Sequence, residues 1–307
     1  MSSEPTQGLV VHTAAWDQQQ DTLRALRETV FILEQGVPRD IEWDGQDADA
    51  IHVLGTLQGE PVACGRLLAG GKIGRMAVLA SQRGRGYGAA VLEALITAAR
   101  EQGLETVYLH AQQHAADFYA RAGFVPEGEP FAEAGIPHVA MYRDTGLGKV
   151  YGNGIAYPEP FARWAVALCR NASREICILS HDLDHRVFDD SELATALSAL
   201  ARRARQSRVR ILVSDYRPMI QRGHRLLALA RRLPSSIILQ QLNEHPDWKG
   251  ETLVLTDRSG VLCKPAESDK AAFCEPDSRA RAERYRDFFE ELWRHSGPHI
   301  EFRSVPL

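Results

Sequence analysis

Three glycines stand at alternate positions, Gly84, Gly86 and Gly88, in the run Arg83-Gly84-Arg85-Gly86-Tyr87-Gly88, and a helix-forming stretch follows at once. That pattern suits an anion lying close to the backbone. The first turn of a helix has unpaired N–H groups and a partial positive charge. Glycine removes the Cβ that would hold a large anion away, and it tolerates positive φ. Arg83 and Arg85 can add charge-assisted hydrogen bonds. Taken alone, the segment reads equally well as a tight connection between a strand and a helix. A dinucleotide-binding turn belongs near the start of a parallel sheet, with an acid about 20 residues further on. Here several strands come first, and the next strand ends in His and Gln. A P-loop needs Gly-Lys-Ser/Thr, which is absent.

The elements that must position this turn can be read on either side of it. Asp21–Gly36 carries apolar residues at helical spacing (Leu23, Leu26, Val30, Leu33), with Gly36 suited to a C-terminal cap. An acidic loop follows. Residues 50–68 read as a hairpin around Leu-Gln-Gly-Glu-Pro, and 72–79 as a further strand. After the glycine turn and its helix come a short buried strand over Leu104–Gln112, a helix over 114–124 closing at Gly123, and a strand over 138–144. The order predicts a mixed α/β layer with helices on both faces. Gly and Pro crowd residues 146–160, which places a domain boundary there, giving domains 1–147 and 148–307. Beyond it, strands and helices alternate again, and Asp190 or Ser191 caps the helix that begins there.

Composition agrees with this division. A chain of 307 residues points to two domains. Residues 1–147 hold 11 Lys and Arg against 19 Asp and Glu, net −8; the remainder holds 25 against 21, net +4, which together give the −4 of the chain. No apolar run approaches the ~20 residues of a membrane span, and the N-terminus lacks the pattern of a secretory signal. Five scattered cysteines form no disulfide framework and no Cys/His cluster. A cytoplasmic protein with no metal and no membrane partner is therefore expected.

The sequence resembles the GNAT superfamily of acyl-CoA-dependent acyltransferases. Its Gln/Arg-x-x-Gly-x-Gly/Ala signature is met by Arg83-Gly84-Arg85-Gly86-Tyr87-Gly88. Two longer stretches, LRETVFILEQGVPRDIEWDGQDADAIHVLG and VYLHAQQHAADFYARAGFVPEGEPFAEAGIPHVAMYR, are similar to the ElaA-like branch, so the resemblance spans roughly residues 8–145. It implies a GNAT fold and an N-acetyltransferase, an acyltransferase moving groups other than aminoacyl groups, with acetyl-CoA as cosubstrate. It implies that the amides from Arg83 to Ala89 hold the coenzyme A pyrophosphate, with Tyr87 inside that loop. It also implies that the strand Met76-Ala77-Val78 is splayed and pairs with the pantetheine arm.

Acyl transfer to an amine needs a base, an oxyanion site and an acid for the departing thiolate. The resemblance places Tyr119 near the sulfur as general acid; on its own residues it reads as a core aromatic. Glu34, beside Leu33 and near Phe31, is a candidate base with a raised pKa, or a surface residue. His52, His110 and His138 are further candidates, each also readable as a hydrogen-bonded strand histidine. Water can relay the proton with no dedicated base. The acidic loop Asp40–Asp49 holds five carboxylates, which form a solvated face or draw in a cationic amine. The expected partner is a small-molecule or peptide amine, and a homodimer is open.

The second half resembles one half of a phospholipase D-like α/β domain over about residues 155–295. Active members carry His-x-Lys-(x)4-Asp on the final hairpin. In this register Asp257 holds the Asp position, but Gly250 and Thr252 stand where the His and Lys belong. No phosphohistidine can form without an imidazole, so the domain is expected to be an accessory one. Ten arginines lie between Arg202 and Arg232 with one acid, Asp215. They lack interleaved aromatics for base stacking, so nucleic acid is not the expected partner. A second functional reading is a non-catalytic acyl-CoA sensor whose C-terminal domain binds a phosphorylated ligand or nucleic acid.

Overall fold

The structure, a computed structural model, describes residues 8–133, 135–204 and 206–303. It divides into two compact units, Met1–Thr145 and Gly146–Leu307. No helix among the described residues is long and apolar enough to cross a membrane.

The first unit is a mixed α/β layer. Strands β1 (Leu9–Ala14), β2 (Ile51–Leu57), β3 (Glu60–Leu67) and β4 (Ile73–Val78) form an antiparallel sheet in sequence order. Strands β5 (Thr106–Gln112), β7 (Ile136–Asp144) and β6 (Val125–Glu133) form a second, with β7 in the middle. One face is covered by the helix Tyr87–Glu101, whose Val91, Leu92, Leu95 and Ile96 are fully buried against Val53, Ala63 and Leu67. The other face is covered by the helix Trp16–Arg27, whose Leu23 and Leu26 meet Leu54, Cys64 and Ala77. Both helices are amphipathic, and burial of their apolar stripes is what holds them to the sheet.

Two strands depart from the sequence reading. β1 was hidden in what reads as a polar start. β6 falls in a stretch that received no element from sequence, where Pro126, Gly128 and Pro130 interrupt any strand pattern. It is exposed along nearly all its length, so it owes its form to pairing with β7 and shows no apolar alternation. The helix expected over Asp21–Gly36 begins earlier, at Trp16, and widens into a π-helical turn over Glu28–Glu34 before Gly36 ends it at φ +70°.

The second unit is built on an eight-stranded sheet. Its centre is parallel: β9 (Glu175–Ser180), β10 (Arg208–Val213) and β11 (Ile237–Leu242). β12 (Thr252–Thr256) pairs antiparallel with β9, then β13 (Gly260–Lys264), β14 (Ala272–Glu275) and β8 (Gly152–Ile155) complete that side. The short β15 (Ser296–Gly297) edges β11. Helices Phe161–Arg170, Ser191–Arg203 and Arg225–Arg232 cover one face, and Arg279–Arg294 covers the other. Asp190 is the N-cap expected from sequence, accepting from the Glu192 and Leu193 amides at 2.8 Å each. All five cysteines are buried and free, and burial pushes the Cys64 thiol up to about 12, which keeps it unreactive.

His224 caps the helix Arg225–Arg232. Its Nδ1 accepts from the Leu226 amide at 3.1 Å, and its Nε2 meets Leu183 O at 3.1 Å. This geometry requires the neutral ring protonated on Nε2. Burial lowers its pKa to about 4, outweighing the nearby Asp189 carboxylate. The unfolded imidazole, near 6.5, takes a proton that the folded one refuses until about pH 4. Stability is therefore complete above pH 6.5 and falls as pH drops through that window, by up to about 3 kcal/mol. Urea unfolding from pH 4 to 7 is expected to show this slope, and His224→Gln is expected to flatten it.

Candidate active site

Among the described residues β4 and β5 share one isolated bridge, between the residue just before β4 and the third residue of β5. Lys72 bridges Tyr108 in parallel register, and the Tyr108 amide donates to Gly71 O at 3.0 Å. Beyond that point the two strands belong to separate sheets. The wedge between them opens into a cleft of about 750 Å³. β4 is itself irregular. Its pairing with β3 slips between Cys64–Ala77 and Arg66–Gly74, and Arg75 sits there at φ +52°. Gly65 lies opposite the slip, where a Cβ would come 2.7 Å from Leu95 Cδ1 and 2.9 Å from Met76 Sδ.

The glycine turn forms one part of the cleft wall. Gly84 and Gly86 take φ +77° and +81°, and Gly86 is the N-cap of the helix Tyr87–Glu101. Gly84, Gly86, Tyr87, Gly88 and Ala89 all line the cleft, with Met76 and Val78 from β4. Phe118 and Tyr119 reach it from the short helix Ala116–Arg121. Tyr119 packs edge-on against Phe118 and Phe124. Burial pushes its phenol up to about 12, and its hydroxyl makes no hydrogen bond among the described residues.

A cluster of titratable groups lies in the same cleft. His110 Nδ1 stands 2.7 Å from Glu133 Oε2, and Lys72 Nζ lies 3.4 Å from that nitrogen. The shorter contact makes Nδ1–H the donor to the carboxylate, which leaves Nε2 of the neutral ring as the basic nitrogen. Burial alone would raise the Glu133 carboxyl. The His110 hydrogen bond and the Lys72, His110 and His138 charges outweigh it and hold the carboxyl below the usual range. His138 Nδ1 donates to Ile136 O at 2.8 Å, and its ring stacks on Phe131. A base whose second nitrogen is held by a carboxylate is the arrangement that fixes tautomer and orientation for proton abstraction.

Residues 20–144 match the acetyltransferase (GNAT) domain family. Protein ElaA of Escherichia coli is 37% identical over 130 residues, which cover 40% of this chain and 85% of ElaA. The chain belongs to the GNAT acetyltransferase family. The uncharacterized N-acetyltransferase YjcF of Bacillus subtilis is 37% identical over 123 residues, or 39% of this chain and 88% of YjcF. A crystal structure of an acyl-CoA N-acyltransferase from Pseudomonas aeruginosa shares 33% identity, covering 44% of this chain and 99% of that one, with a TM-score of 0.41. Residues 157–305 match a domain of unknown function (DUF7931).

Several residues singled out from sequence sit elsewhere in the GNAT domain. His52 is buried beneath Trp16 with its Nε2 on Asp47 O at 2.9 Å, outside the cleft, and burial lowers its pKa; it is a core histidine. Glu34 lines the cleft, but its carboxylate takes both Arg83 nitrogens at 2.6 and 2.8 Å. That hydrogen-bonded pair lowers its pKa, the reverse of the expected rise, so Glu34 makes a poor base. Arg83 is correspondingly engaged, donating also to Val78 O at 3.0 Å. Arg85 is exposed and outside the cleft lining, and Ala77 faces the opposite core.

The acidic loop is also not what its composition suggested. Glu42 and Asp47 are buried on Arg27, at 2.5 and 2.7 Å. Asp44 and Asp47 hold Arg66, and Glu42 and Asp44 hold Arg75. Three carboxylates thus meet three guanidiniums, which leaves only Asp40 and Asp49 exposed. The loop's field on a cationic substrate is largely cancelled. Glu133 and Lys72 were missed in the sequence. Glu133 lies on β6, and no residue-type signal separates it from its exposed neighbours Glu127 and Glu129.

In the second unit, Asp257 accepts from the Ser173, Arg174 and Glu175 amides at 2.7–3.1 Å, anchoring the β12–β13 turn to the start of β9. Part of the arginine-rich stretch is engaged within the fold. Arg210 lies between Glu175 and Glu290, Arg217 on Asp215, Arg225 on Asp189, and Arg203 on Ala172 O. Arg205 lies outside the described residues.

Proposed function

We propose that the GNAT domain transfers an acetyl group from acetyl-CoA to the amine of a small molecule or peptide by direct attack in a ternary complex. The observation that carries this reading is one cleft lined both by the glycine-rich helix N-terminus and by the His110–Glu133 pair. The anionic tail of the donor fits the amides of Gly84–Ala89, where nothing lies within 4 Å of a Cβ built on Gly84. The pantetheine arm follows Met76 and Val78.

His110 Nε2 takes the ammonium proton, with Glu133 holding Nδ1–H and favouring the imidazolium that forms. The free amine attacks the thioester carbonyl carbon, a backbone N–H of the irregular strand around Met76 steadies the oxyanion, and the C–S bond breaks as the nitrogen loses its second proton to solvent, leaving the neutral amide. Tyr119, neutral at working pH, returns a proton to the thiolate and regains one from solvent. A phenol near 12 is a weak acid for a thiol near 8.5, but the same apolar wall disfavours the thiolate as well.

The test has two arms. Acetyl-CoA is expected to raise the unfolding midpoint of the wild-type chain, and Gly86→Val to abolish that rise by forcing a β-branched residue to positive φ and filling the turn. A screen of amines and peptides read by free-thiol release is expected to find an acceptor. No stabilisation by any CoA thioester would overturn the reading. Stabilisation with no thiol release from any amine would favour a sensor of acyl-CoA.

For the second unit we keep the phospholipase D-like likeness as a proposal. Its support is the parallel β11–β10–β9 core followed by the β12–β13 hairpin. Gly250 and Thr252 offer neither imidazole nor amine, so an accessory role is proposed, not phosphodiester hydrolysis.

A further inference from the structure

Outside the acyltransfer cleft, one cluster in the second unit has the makings of a metal site. His245 lies on the segment after β11. Glu291 and His295 lie one turn apart on the helix Arg279–Arg294 and its C-cap. One ligand atom from each lies within 4.8 Å of the other two. We propose that His245, Glu291 and His295 bind a divalent transition-metal ion, zinc above others.

The chemistry of the donors favours this. Two imidazoles and one carboxylate are a borderline donor set suited to zinc, and three protein ligands leave one position for water. The i, i+4 spacing puts Glu291 and His295 on one helix face. His295 Nδ1 sits 2.9 Å from Glu291 O and donates to it, which turns Nε2 outward as the lone-pair nitrogen. His245 Nδ1 accepts from the Asp247 amide at 3.3 Å, and Asp247 Oδ2 lies 4.0 Å from the same nitrogen; binding an ion through Nε2 requires the ring to change tautomer and turn Nδ1–H toward that carboxylate. The two rings already stand 5.0 Å apart between centroids. The helix ends at this point, so its unpaired carbonyls add a partial negative charge that favours a cation. Glu291 also meets Arg294 at 2.6 Å through Oε2, and Oε1, the oxygen that would take the ion, lies 3.5 Å from His295 Nδ1.

The ion would tie the segment after β11 to the end of the helix Arg279–Arg294. These are the same two chain segments that β15 joins by pairing Gln241 with Gly297 and Leu242 with Ser296. The sequence could not show this, because His245 lies far along the chain from Glu291 and His295.

The experiment titrates Zn²⁺ alone into the full, untagged chain by calorimetry and by competition with a chromophoric chelator. One equivalent is expected to bind in the low micromolar range or tighter. His245→Ala and His295→Ala are each expected to weaken binding at least about tenfold. His12→Ala, an exposed histidine in the other unit, should change nothing. Zinc should also raise the unfolding midpoint of the wild type and not of His295→Ala. The metal-free midpoint of His295→Ala should match the wild type, since the ring is 56% exposed. No binding at up to about 100 µM zinc, or binding unchanged in both histidine variants, would overturn the proposal.

Discussion

Replacing His110 with alanine is expected to lower kcat/KM for acyl transfer about 10²-fold or more, the usual worth of a positioned general base. Acetyl-CoA affinity should stay within about threefold, because the proposed seat of the donor's anionic tail is Gly84–Ala89 and not the imidazole. Glu133→Gln should follow the same pattern with a smaller loss. The amide can still meet the ring, but it carries no charge to favour the imidazolium. Tyr119→Phe should act on the same step from the other side, by about tenfold, since a phenol near 12 donates reluctantly. If His110→Ala turns over normally, water or His138 carries the proton, and the His110–Glu133 pair is an ordinary structural bond.

The second large effect falls on stability. Arg27 is 1% exposed and serves Glu42 and Asp47 together, with a further bond to Glu42 O at 3.1 Å. Arg27→Met leaves two buried carboxylates short of a partner, which costs about 3–5 kcal/mol. Burial already raises the Glu42 pKa despite the Arg27 and Arg75 charges, so the variant should push that carboxyl further toward its neutral form. Urea unfolding is the measurement. Arg27→Met with Glu42→Gln should recover part of the loss, because a neutral amide tolerates the site better. A cost below about 1 kcal/mol for Arg27→Met would mean that water reaches this network.

Sequence reasoning reached the fold where pattern and physics are local. The apolar stripe of the helix after the glycine turn, Asp190 as a cap and the alternation of the second unit were all legible. It failed where a residue's meaning depends on a distant partner. Glu34 read as a base because nothing nearby in sequence announces Arg83, which comes from beyond three strands. The acidic loop read as a free surface because its three arginines arrive from a helix and two strands. His52 and His110 look alike as strand histidines, and only the splay of the sheet puts one in the cleft and the other in the core. β6 was missed because an exposed edge strand needs no apolar alternation.

The lone bridge between Lys72 and Tyr108 has a consequence for how this architecture diversifies. Because a single pairing joins the two halves of the layer, prying them wider forfeits no run of backbone bonds. Aperture is thus governed by the side chains on the wedge, such as Met76, Leu109 and Phe118, and not by the scaffold beneath them. Acyl groups of different bulk can be accommodated by exchanging those few residues, with the main-chain path of either half unchanged.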